Sequence, residues 1–148
     1  EFKTAVPQLI EWLRARDDWH CVNVGATRLK ITSPMAQVAG IEVLRAHYFP
    51  MLAHALIWNR AGAKAFLAAS EPIFCPADNM LRQVLTRSDM GLATAQSLVT
   101  AGRFDSDISA RSGGNRGKFR RSPLYGLRKQ RRLLHEKAMA FAHKLGHR

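Results

Sequence analysis

Apolar residues Val6, Leu9, Ile10 and Leu13 recur at helical spacing, while Lys3, Glu11, Arg14 and Arg16 take the other face, so the pattern predicts an amphipathic helix over residues 4–16 with Thr4 as its N-cap. Asp17-Asp18 ends it, and His20-Cys21-Val22-Asn23-Val24-Gly25 reads as a short strand closed by glycine. Residues 26–50 carry a weaker pattern: a strand over Thr27–Ile31, a turn at Thr32-Ser33-Pro34, a short strand over Ile41–Leu44, and no assigned function. His54–Trp58 predicts a strand. Asn59 then caps a helix to about Ala69, Glu71-Pro72 breaks it, and Pro76 precedes a helix over 77–87. Gly91–Leu98 reads as a last strand, and helices alternating with strands predict the α/β class.

Beyond residue 110 the pattern changes. Residues 111–121 (Arg-Ser-Gly-Gly-Asn-Arg-Gly-Lys-Phe-Arg-Arg) have no apolar period and read as a flexible basic linker. Ser122-Pro123 predicts a helix start, with a helix to about Leu145. The net charge of +12 divides sharply at this boundary: residues 1–110 hold 11 Lys/Arg against 10 Asp/Glu, and residues 111–148 hold 12 against the single Glu136. Leu124, Leu127, Leu134, Ala138, Phe141 and Leu145 form one stripe of the final helix, with Arg131 intruding and cations around the rest. Such a helix suits an anionic membrane surface, contacted through Arg128, Lys129, Arg132, Leu134 and Phe141. The competing expectation packs the stripe on the body and leaves the charges solvated.

The length of 148 residues fits one domain, and no apolar run approaches the ~20 residues that span a bilayer. The chain starts at Glu1 with no initiator Met and no basic-then-apolar leader, so it reads as a fragment or a processed product. Two cysteines, Cys21 and Cys75, are too few for a disulfide scaffold and lack zinc-site spacing, which favours a reduced cytoplasmic compartment.

Ala53-His54-Ala55-Leu56-Ile57-Trp58, the break at Asn59-Arg60, the run Ala61-Gly62-Ala63-Lys64-Ala65-Phe66-Leu67, then Pro76-Ala77-Asp78 and Ser106-Asp107-Ile108 form an ordered set. The set resembles the C-terminal half of glycosyltransferase family 25, the lipooligosaccharide and collagen galactosyltransferase group, over roughly residues 2 to 111. The resemblance implies a partial GT-A-like (nucleotide-sugar transferase) α/β domain with a basic C-terminal helix. Residues 1–110 would be the C-terminal portion of the transferase domain, 111–121 a linker and 122–148 a basic amphipathic helix. It implies inverting transfer of a hexose, galactose above all, from a UDP-sugar to a lipid-linked oligosaccharide core, by a protein that is cytoplasmic and peripheral at the inner membrane. It also implies a divalent metal, Mn²⁺ or Mg²⁺, held by an acidic motif that falls before Glu1; whether this chain turns over by itself is left open.

On this reading Asp78 is the catalytic base, and His54, Arg103, Ser106 and Asp107 hold donor or acceptor. Each has a plainer alternative. Asp78 is also what a helix start selects, a lone strand His is usually satisfied by one hydrogen bond, and Ser and Asp favour capping turns unaided. Asp17-Asp18 reads as a solvated turn rather than a metal site. The runner-up function is a non-enzymatic nucleic-acid-binding protein using the Arg/Gly linker and basic helix. A third is a degenerate family member that serves as a partner domain.

Overall fold

A computed structural model of the chain describes residues 2–99 and 123–146. The described residues form a mixed five-stranded sheet and four helices. The strands are β1 (Cys21–Asn23), β2 (Thr32–Val38), β3 (Ile41–Ala46), β4 (Leu56–Trp58) and β5 (Gly91–Thr94). The helices are α1 (Phe2–Arg14), α2 (Arg60–Ala69), α3 (Ala77–Ser88) and α4 (Tyr125–Gly146). Across the sheet the order is β2-β3-β5-β1-β4, with β1 and β5 parallel and the other pairs antiparallel.

Side chains alternate across the sheet with the period of two that a pleat imposes. Val22, Val43, Ile57 and Leu92 meet Leu9, Leu13 and Trp19 on one face, under α1. Cys21, Ala46, Leu56, Trp58 and Ala93 meet Phe49, Phe66, Leu81 and Leu85 on the other, under α2 and α3. The helix and strand patterns therefore place the core on both faces of the sheet, as an α/β layering requires.

Five features differ from the sequence expectation. Helix α1 begins at Phe2, so Thr4 lies inside it rather than capping it; Pro7 sits inside as well, at the cost of one N–H. Thr27–Ile31 is not a strand. Thr32-Ser33-Pro34, expected as a turn, opens β2, which forms a hairpin with β3. The hairpin closes at Ala39 and Gly40, both at positive φ (52° and 79°), the backbone a tight hairpin turn demands. Ala-Gly is a weak signal for it beside Asn-Gly. Pro34 is tolerated because β2 is an edge strand and the register shifts between Pro34 and Ala36. Strand β5 stops at Thr94, whose hydroxyl donates to the Gln96 carbonyl at 2.7 Å and turns the chain away from the sheet. His54 precedes β4 instead of lying in it.

Asn59 caps α2 as expected, its Oδ1 accepting the Gly62 N–H at 2.6 Å. Among the described residues no helix is long and apolar enough to cross a membrane.

Candidate functional site

Two segments, 25–31 and 48–54, run in opposite directions over the α2/α3 side of the sheet. They are tied at both ends. At the carboxyl end of β1 the buried Asn23 donates from Nδ2 to the Leu52 carbonyl and accepts the Gly25 N–H at 3.0 Å. At the other end the Tyr48 N–H donates to the Ile31 carbonyl at 3.2 Å. Between the segments lies a cleft of about 440 Å³, lined by Thr27, Arg28, Lys30, Tyr48, Met51 and Leu52 and closed by Arg82 of α3. Among the described residues no carboxylate lines it, so three cations face one space.

Tyr48 is the centre of this arrangement. Lys30 Nζ lies 5.6 Å and Arg82 Cζ 5.5 Å from its ring centroid, within cation–π range. Burial pushes the Tyr48 hydroxyl above its ordinary range, with the Arg82 charge acting against that shift. Arg82 itself is fixed from several sides. Its Nε donates to Glu136 Oε2 of α4 at 2.9 Å, Nη2 donates to Asn79 Oδ1 at 3.2 Å, and Nη1 lies against the Met51 sulfur. Side-chain exposures of 5% for Arg82 and 7% for Glu136 make this a desolvated pair, bought only with charge on both partners. Arg28 and Lys30, both exposed, remain to meet a ligand anion.

His54 stands beside Gly25, outside the residues that line the cleft. A methyl group on Gly25 would lie 2.4 Å from His54 Nε2, so the glycine makes room for the exposed imidazole. Asp78 is half-buried in the first turn of α3, one turn before Arg82, and its Oδ1 accepts the Asn79 N–H at 2.8 Å. Pro76, without a side-chain cap bond, occupies the N-cap, so Asp78 is not that cap. Neither Asp78 nor His54 is among the residues that line the cleft. Arg103, Ser106 and Asp107, the linker 111–121 and the cap at Ser122 lie outside the described residues.

Arg28, Lys30, Tyr48 and Arg82 were missed in the sequence, three of them inside the stretch to which no function was assigned. A usable signal existed for Arg82: Glu136 is the one acid among 12 cations of residues 111–148, and a lone acid there implies a dedicated partner.

Two polar clusters serve the fold instead. Asp18 Oδ2 bonds Arg45 Nη2 and Arg16 Nη2, each at 2.7 Å, and the Arg16 hydrogen bonds, with the Arg45 charge, hold its carboxyl below the usual range. Asp17-Asp18 is thus a turn with one ion-paired member. Ser33 Oγ lies 3.0 Å from His47 Nε2, and His47 Nδ1 lies 2.8 Å from Asp89 Oδ1. That bond order is found in serine hydrolases. Here it joins the edge strand, the end of β3 and the left-handed C-cap of α3, with His47 wholly buried. The 440 Å³ cleft does not include it, nor does a larger trough of about 660 Å³ between α1 and the hairpin turn. The trough presents no titratable side chain among the described residues.

Among the described residues no group of three or more His, Cys, Asp or Glu side chains comes together. Burial pushes the Cys21 and Cys75 thiols up, away from the reactive thiolate. No protein-family model matches the chain, and neither a curated protein nor a solved structure matches it.

Proposed function

We propose that this chain is the C-terminal portion of a GT-A-like glycosyltransferase domain that moves a hexose, galactose by preference, from a UDP-sugar to a lipid-linked oligosaccharide. The observation that carries the reading is the cleft at Tyr48, lined by no carboxylate among the described residues, with exposed Arg28 and Lys30 along it and Arg82 closing it. Both substrates are anionic, the donor through its diphosphate and a lipid-linked core through its acidic groups, so a cationic cleft with an apolar wall suits either. The carboxyl ends of parallel strands are the usual place for a ligand in an open α/β sheet, and β1 delivers Gly25 there, with His54 of the segment before β4 beside it.

In this reading an acceptor hydroxyl attacks the anomeric carbon from the face opposite the diphosphate. Asp78 takes the hydroxyl proton as the new C–O bond forms, and the bond to the UDP oxygen breaks with its electron pair leaving on UDP. Asp78 stands in the first turn of α3, where its Oδ1 accepts the Asn79 N–H at 2.8 Å. His54 and Arg28 steady the substrates' oxygens. The test is product formation: the gene's complete reading frame, supplied with UDP-galactose and a lipid-linked oligosaccharide, should yield UDP and a product heavier by one hexose. UDP-galactose left intact with every such acceptor, by a folded protein, contradicts the proposal.

A further inference from the structure

We infer that the outward face of α4 docks on an anionic lipid bilayer. The helix has two faces of opposite character, and the body takes the less apolar one. Glu136 and Ala140 are buried, and Leu133, Met139 and His143 are half-buried, along the side that meets α3 and Tyr48. The apolar stripe points away: Leu127 is 70% exposed, Leu134 66%, Phe141 55% and Leu145 63%. At 3.6 residues per turn these four fall within about 40° of arc. The described residues leave this stripe uncovered while a buried ion pair makes the contact with α3, which is the character of a docking face.

The flanks say which partner. Arg128 and Arg131 border the stripe on one side, Lys137 and Lys144 on the other, and the helix's one acid, Glu136, faces inward onto Arg82. On an anionic bilayer, Leu and Phe enter the headgroup–acyl boundary while the lysine and arginine stems reach the phosphates on both sides. A second copy of this face would bring like charges together along both flanks. A nucleic acid would meet the cations and leave the four apolar side chains in water. The inward face of the same helix holds Arg82 beside the cleft. This inference stands apart from the glycosyl-transfer reading, and its test reads no turnover.

The full chain should co-sediment with vesicles of phosphatidylcholine containing a quarter phosphatidylglycerol at low salt. It should not do so with phosphatidylcholine alone, and it should release as salt shortens the screening length. Leu134→Ser combined with Phe141→Ser should lower the vesicle partition coefficient about tenfold or more, with thermal unfolding and binding to random duplex DNA unchanged. The exposure of both side chains protects the fold. If that variant does not fold, Arg131→Glu with Lys137→Glu, both exposed, should abolish binding to the anionic vesicles. Three results overturn the inference: wild-type partitioning by a folded variant, equal loss of DNA and vesicle binding in the serine variant, or a wild-type dimer in solution that the serine substitutions dissociate.

Discussion

Gly62 and Gly25 are both small because of a neighbouring histidine, and the part of the histidine involved decides what an added methyl would do. At Gly62 a Cβ would lie 2.4 Å from the His20 carbonyl oxygen and 2.6 Å from its Cα, backbone that β1 holds in place. Gly62→Ala should therefore cost about 1–3 kcal/mol in chemical denaturation, as overpacking does. At Gly25 the closest contact is with the tip of the exposed His54 ring, which can swing away, and the next is the Ala55 Cβ at 3.0 Å, which has to give only slightly. Gly25→Ala should cost less stability than Gly62→Ala while shifting the His54 ring resonances in NMR spectra. Asp18 adds a pH dependence with a definite sign. Its folded-state value lies below the ordinary 3.8, chiefly through the Arg16 hydrogen bonds, so its stabilising contribution is present above that pH and fades as pH falls through the folded value. The melting-temperature gap between wild type and Asp18→Asn should be full at pH 6 and close in strong acid; a gap that grows on acidification contradicts the assignment.

Helix α4 is tied to α3 by a pair that cannot lose one member cheaply. Glu136→Ala would leave the Arg82 guanidinium buried with only Asn79 and the Met51 sulfur, and should destabilise the chain by about 3–5 kcal/mol. Hydrogen exchange should then show α4 opening ahead of the sheet; equal protection in both proteins would mean that the pair does not hold the helix. Helices were the legible elements. Asn59 and Pro76 mark the starts of α2 and α3, and Glu71-Pro72 separates them, because caps and prolines act locally. The β2–β3 hairpin was not legible. Its turn rests on Ala39 in a conformation alanine rarely adopts, and its Pro34 is acceptable only at an edge the sequence does not announce.

On the scale of the whole molecule, the α/β class followed from alternating periods, whereas the candidate site did not. Arg28, Lys30, Tyr48, Arg82 and Glu136 come from four separate stretches and converge only because two irregular segments fold back over the sheet. No local period encodes such a convergence. His54 was singled out by the ordered motifs, whereas its close approach to Gly25 was not. The tail stripe was legible as a stripe, but which way it faces depended on Glu136 finding Arg82 across the fold.

The glycosyl-transfer account meets its most direct test at Asp78. In the protein expressed from the complete reading frame, kcat for galactosyl transfer from UDP-galactose by Asp78→Asn should fall about 10²-fold or more. The melting temperature should move little, since a first-turn carboxylate contributes at most about 1 kcal/mol to its helix. A variant that melts early yet keeps wild-type turnover per folded molecule would contradict the account and leave Asp78 a helix-start residue alone.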